Sequence, residues 1–84
     1  HLPGVITAYT TLPVIGVPLG GSALNGVDAL YSIVQMPKGV PVASMAIGKA
    51  GAINAAVYCA EMFGITDETI QMRLQEFRDK GCKL

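Results

Sequence analysis

Charge is what this sequence has least of. Only 14% of its 84 residues are charged, where an average soluble domain carries about 25%. Six Lys plus Arg cancel six Asp plus Glu. With no basic field, neither nucleic acid nor an anionic membrane is an expected partner. Histidine occurs once, as His1, and cysteine twice, as Cys59 and Cys82. That set, with scattered carboxylates, supports no metal site, and the cysteine spacing matches no metal or redox motif. No Ser stands in a Gly-x-Ser-x-Gly turn, which removes the elbow nucleophile. Gly48-Lys49 runs on into Ala50 rather than Ser or Thr, so it is not a P-loop. The uncharged helical run from Ala50 to Ala60 falls well short of the about 20 residues a spanning helix needs. Residues 1–27 carry no Asp, Glu, Lys or Arg but are broken by Pro3, Pro13 and Pro18. No cationic start followed by an apolar stretch and a cleavage site is visible, so no secretory leader is expected. Two cysteines without a framework favour a reduced, cytoplasmic setting. The chain opens on His1 rather than Met, which reads as a fragment or a processed product.

What is present is apolar. Hydrophobic residues make up 51% of the chain, and disordered segments combine low hydrophobicity with high net charge, so disorder is excluded. The charges crowd into the last part, from Glu61 to Lys83. The pattern is a buried body followed by one solvated terminal helix over residues 65–84.

Pro13-Val-Ile-Gly-Val17 lacks polar alternation and predicts a strand buried on both faces. Pro18 to Asn25 is a Gly-rich loop. Asn25 is the expected N-cap of a helix over 26–35, with Asp28 in its first turn. Val27, Leu30, Tyr31 and Val34 share one face of that helix. Pro37 stops it, and Val42 to Ile47 predicts a second apolar strand. A helix follows from Ala50 to Phe63, ended by Gly64, apolar nearly all round and therefore buried. Cys59 is expected in its core. Ala52, Ala56 and Ala60 form a ridge that lets another helix approach. Thr66 is the expected cap of the last helix, with Ile70, Leu74 and Phe77 as its apolar stripe. Glu76 is placed to pair with Lys80, and Gly81 ends the helix.

Strand, helix, strand is a right-handed βαβ unit with parallel strands. Two parallel strands buried on both faces need more cover than this chain brings. Leaving Val14, Ile15 and Val17 wet would forfeit roughly 1.5–3 kcal/mol each. The fold class is therefore α/β, the C-terminal part of a doubly wound parallel sheet with helices on both faces. Ligands of such sheets sit beyond the C-terminal strand ends, here residues 19–23 and Gly48-Lys49. Gly20 and Gly21 allow a backbone to approach a phosphate there. On residue types alone, His1 reads as a solvated terminus, Met36 as helix-end packing and Lys38 as a loop charge.

Specific strings go further. His1-Leu-Pro-Gly4, Leu12-Pro-Val-Ile-Gly-Val-Pro18, Ser22-Ala-Leu-Asn-Gly-Val-Asp28, Tyr31-Ser-Ile-Val-Gln-Met-Pro37, Gly39-Val-Pro-Val42 and Ala46-Ile-Gly-Lys-Ala-Gly51 occur in this order. Together they resemble the C-terminal half of the bacterial-type carboxyaminoimidazole ribonucleotide mutase family, also known as the catalytic subunit of phosphoribosylaminoimidazole carboxylase. The likeness is close over residues 1 to about 64 and looser beyond. It implies that residues 1–84 are the C-terminal part of one mutase domain with a flavodoxin-like sheet (three-layer α/β/α). It also implies a homo-octamer, with neither a metal nor an organic cofactor. The family moves a carboxylate from the exocyclic nitrogen to the ring carbon of an aminoimidazole ribonucleotide in purine synthesis. Carbon dioxide is released and trapped beside the imidazole, with a histidine as general acid and base.

By this resemblance no catalytic residue lies in this chain. The family's catalytic His-Arg pair, and the Ser and Asp that hold the ribose phosphate, belong to an N-terminal half. His1 matches the family's second active-site histidine. His1 and Leu2 would flank the carbon dioxide or base pocket, and Ser22, Ala23 and Leu24 would line one wall. Met36 and Pro37, with the Lys38-Gly39 loop, would close the site, onto a neighbouring subunit. Gly20-Gly21 stands where relatives often carry a polar residue. The 84 residues alone are expected to be inactive. Two other readings stay open: a non-catalytic remnant that acts as an assembly or binding module, and a nucleotide-binding piece of another doubly wound protein.

Overall fold

Pro13 and Pro18 bracket the first strand and decide its length, because proline cannot donate to a ladder. In the computed structural model, which describes residues 2–20 and 25–84, β1 is only Ile15–Gly16. The order is α1 (Leu2–Thr7), β1, α2 (Val27–Val34), β2 (Ala43–Ser44), α3 (Lys49–Gly64) and α4 (Glu68–Asp79). The strands are parallel, with Ile15 opposite Ala43 and Gly16 opposite Ser44. The Ala43 amide donates to the Val14 carbonyl at 3.0 Å. The expected strand over 42–47 is likewise cut short, its register with β1 ending at Gly16 opposite Ser44.

Neighbouring strand residues point to opposite faces, so helices lie on both sides. A Cβ on Gly16 would meet Ile33 Cδ1 at 3.0 Å and Pro3 Cγ at 3.3 Å, which places α1 and α2 on that face. Ile15 looks the other way, across an apolar groove of about 700 Å³ shared with Ala55, Ala56, Cys59, Met62 and Phe63 of α3. The architecture is thus α/β with a small parallel sheet between helices.

Helix α1 was not among the expected elements, since Leu-Pro-Gly-Val-Ile-Thr carries no helical signal. Pro3 is tolerated because a first-turn amide needs no partner, and tertiary contacts hold the rest. Gly4 and Thr7 are buried, and the Thr7 hydroxyl donates to the Pro41 carbonyl at 3.3 Å.

In α2 the predicted cap and the predicted face are both corrected. Asn25 does not cap. It takes a left-handed φ of 54°, and the N-cap is Gly26, at φ 90°, with no side-chain bond. The buried residue is Ile33, at 4% exposure, whereas Val27, Tyr31 and Val34 are exposed. The inward stripe is Gly26, Leu30 and Ile33. Its helical spacing equals that of the apolar stripe one residue on, and a glycine hides it.

Helix α3 begins one residue before Ala50 and includes Gly64. It is not buried all round: Tyr58, Met62 and Phe63 are exposed and Cys59 is half-buried. Asp67, not Thr66, caps α4, because Asp67 holds the extended backbone before the first turn and accepts from the Ile70 amide at 3.1 Å. At the other end the Cys82 amide reaches the Phe77 carbonyl and the Gly81 amide the Arg78 carbonyl. With Gly81 at φ 76° this is a Schellman cap. Arg78 pairs with Glu61 at 3.0 Å, and no Glu76–Lys80 ion pair forms.

Cover is thin. The chain exposes 6282 Å², against about 4,800 Å² for a compact monomer of this mass. Its radius of gyration is 14.7 Å, against about 12 Å for a compact domain of this length. The excess surface is apolar in large part: Val5, Tyr9, Leu12, Tyr31 and Phe63 are each more than half exposed.

Candidate functional site at the strand ends

A parallel sheet gathers the exits of its strands at one end, and the loops there are tied together. Pro18, just beyond β1, is the largest fully buried side chain among the described residues. Its carbonyl accepts from the Gly48 amide at 2.7 Å, joining the exit of β1 to that of β2. A Cβ on Gly26 would lie 2.5 Å from Ile47 Cγ2 and 3.0 Å from the Leu19 carbonyl oxygen. One on Gly51 would lie 1.9 Å from the Ala46 carbonyl oxygen. Only glycine lets α2 and α3 start this close to the strand exits.

Helix α1 also begins here. Its end, Thr7, bonds the carbonyl of Pro41, ahead of β2, whereas Pro3 lies against Gly16. The helix therefore runs antiparallel to the strands and sets Leu2, which is exposed, at their C-terminal end. Leu19 and Gly20, beyond β1, are exposed as well. His1, Ser22, Ala23 and Leu24 lie outside the described residues.

Met36 and Pro37 are not brought to this end. They sit in the loop that leaves α2 and precedes β2, at the N-terminal end of the sheet. There they line a cavity of about 400 Å³ with Ile33, Val34, Lys38 and Val42. The Val40 amide bonds the Pro37 carbonyl at 3.1 Å, and Gly39 takes a φ of 93° that suits glycine. A loop between helix and strand always falls at the strand's start, so the order of elements already held this information. Pro18, Gly26 and Gly51 as the ties of the strand-end loops went unpredicted, and the signals were a proline just after β1 and a glycine at the start of each following helix.

The described part of this end carries exposed Leu2, Leu19 and Gly20 and, as charged side chains, Asp28 and Lys49. It holds no histidine or thiol for proton transfer. No cluster of three or more His, Cys, Asp or Glu that could hold a metal occurs among the described residues. Nor is any helix among them long and apolar enough to cross a membrane.

Residues 1–83 match the family described as AIR carboxylase. The chain belongs to the AIR carboxylase family. Curated relatives carry the name N5-carboxyaminoimidazole ribonucleotide mutase. The protein of Bacillus subtilis strain 168 is 57% identical over 94% of this chain and 49% of its own length. That of Haemophilus influenzae Rd is 56% identical over 100% and 51%. That of Escherichia coli K12 is 55% identical over 93% and 46%. The chain therefore spans about half the length of the curated family members it matches.

Proposed function

We propose that these residues supply part of the site of an N5-carboxyaminoimidazole ribonucleotide mutase, acting in cytoplasmic purine synthesis. The reaction shifts a carboxylate from the exocyclic nitrogen to the ring carbon of the aminoimidazole, an isomerisation with lyase character. Carbon dioxide is released and recaptured within the pocket. The single observation that carries this is identity of 57% and 56% to named mutases over nearly the whole chain.

In this reading residues 1–84 are the C-terminal part of one flavodoxin-like domain, and the proton-transfer histidine lies in the half this chain does not span. Imidazole suits that role because its pKa lies near the working pH. His1, Leu2, Ser22, Ala23 and Leu24 form the wall at the strand ends, where backbone amides can meet the substrate's phosphate. Met36 and Pro37, at the opposite end of the same sheet, reach such a wall only on a neighbouring subunit. A homo-oligomer, an octamer by family resemblance, is therefore part of the proposal. The substrate partners are the aminoimidazole ribonucleotide and carbon dioxide. Both cysteines are free, in keeping with a reducing compartment.

The test uses residues 1–84 alone and then together with the segment of the Bacillus subtilis relative that this chain does not span. Turnover of the carboxyaminoimidazole ribonucleotide is expected only from the combination. A combination that folds and associates yet shows no turnover would overturn the reading.

A further inference from the structure

Helices α1 and α2 lie on one face of the sheet and meet over Gly16, where Pro3 and Ile33 both reach the position of a Cβ. Their buried residues are Gly4 and Thr7 on α1 and Ile33 on α2. The sides turned away carry Leu2, Val5 and Tyr9 on α1 and Val27, Tyr31 and Val34 on α2. Both sets have helical spacing, and every member is more than half exposed, Tyr9 at 88% and Tyr31 at 62%. With an aromatic side chain counted at about 200 Å², the six present roughly 700 Å² of largely apolar surface. The largest apolar patch of an ordinary monomer is about 300–600 Å², and a stable interface takes about 800 Å² from each partner. The only charged side chain from Leu2 to Gln35 is Asp28.

We infer that the outer faces of α1 and α2 form a two-fold interface with a second copy of this protein, the two α2 helices running antiparallel. This deepens the homo-oligomer proposed above and rests on that reading for its account of the site. In that reading the rest of the domain precedes α1. Parallel connections are right-handed and α1 and α2 share a face, so the strand before α1 pairs with the free edge of β1, away from β2. The other half therefore extends the sheet past α1, and the outer side of α2 stays outermost. A face this poor in charge gives a foreign partner little to recognise. Interfaces between identical chains are the more apolar kind, and most are two-fold. Antiparallel pairing also serves the site. Helix α2 has eight residues, about 12 Å of length, so the Met36-Pro37 turn that follows it comes to lie beside the start of the neighbouring α2, next to that copy's strand-end loops.

The experiment uses the reconstituted assembly just described and compares Tyr31→Glu, Tyr31→Lys and, as a control, Met72→Glu on the exposed side of α4. Mass is followed by sedimentation over a dilution series, with turnover and far-UV circular dichroism measured on the same samples. Each Tyr31 variant alone sets like charges across the two-fold and should lower the mass by about 2-fold or more. Its circular dichroism should match the parent, because Tyr31 is not part of the core. An equal mixture of Tyr31→Glu and Tyr31→Lys should regain the parent mass, since opposite charges then face each other. Turnover should fall with the mass and return with it. Met72→Glu should leave every readout unchanged.

A Tyr31→Glu protein that keeps the parent mass at every dilution would overturn the inference. So would a parent that never exceeds the mass of one copy, or a mixture that stays dissociated. The mixture also separates a lost contact from a lost fold, because pairing charges cannot restore an unfolded chain. Loss of mass with turnover kept would uphold the interface and overturn the sharing of a site across it. A parent that associates through this face without turnover would count against the proposed function and uphold the interface.

Discussion

The hairpin of α3 and α4 closes on itself, whereas the body formed by α1, β1, α2 and β2 does not. In the hairpin three of the four helix ends have a side-chain or Schellman partner, the exception being the start of α3 at Gly48. Asp67 receives the Ile70 amide, the Schellman turn at Gly81 takes the last carbonyls, and the Gln71 side chain donates to the Gly64 carbonyl. Leu74, Gln71 and Ile70 of α4 pack around Gly64, where a Cβ would find them at ordinary contact distance, 3.4–3.5 Å. The body has two residue pairs of sheet and, besides Pro18, a single buried hydrophobic side chain, Ile33, among the described residues. Around it Leu2, Val5, Tyr9, Leu12, Tyr31 and Val34 stay exposed. Signals close in sequence suffice for the hairpin. The body is made of segments shaped to be covered from outside.

Substitutions in the whole protein sharpen this contrast. The largest effect is expected where the two regions join. Gly51→Val puts a branched side chain where the Ala46 carbonyl oxygen stands, 1.9 Å from an ideal Cβ, and should cost more than about 4 kcal/mol in denaturant unfolding. A smaller loss would mean that α3 is free to slide off the β2 exit. Next comes Ile33→Ala within the body, expected to cost about 2–4 kcal/mol for a buried Ile packed over Gly16. If it costs less than 1 kcal/mol, α2 does not pack on the sheet. Asp67→Ala should cost about 1 kcal/mol, the usual value of a lost helix cap. Its effect should appear as faster amide exchange in the first turn of α4, with the sheet body unaffected. Spread of that effect into β1 or β2 would erase the distinction between the regions.

The same contrast explains what the sequence disclosed. Helices α3 and α4 and the stop at Gly81 were legible because periodicity and the glycine turn act within a few positions, although the cap of α4 fell one residue on, at Asp67 rather than Thr66. The two strands were legible as apolar runs but not in extent, since pairing needs two partners and prolines sit at both ends of β1. Helix α1 was hidden because its support, Pro3 on Gly16 and Thr7 on Pro41, comes from residues far along the chain. The stripe of α2 was misassigned by one position, as Gly26 and Ile33 give no stronger signal than Val27 and Val34 until the sheet is in place. At the candidate site the Gly-rich strand-end loops were legible from their spacing. The placement of Met36 and Pro37 at the opposite end followed from element order alone. The grip of Gly48 on Pro18 is a long-range backbone bond that side chains do not announce.

Amide hydrogen exchange tests the central claim most directly. It would be followed in residues 1–84 alone at high dilution and in the assembly with the other half of the relative. Amides of α3 and α4 should be protected in both, and those of Ile15 to Val17 and Ala43 to Met45 only in the assembly. Equal protection of the two strands in the dilute, monomeric chain would contradict the account.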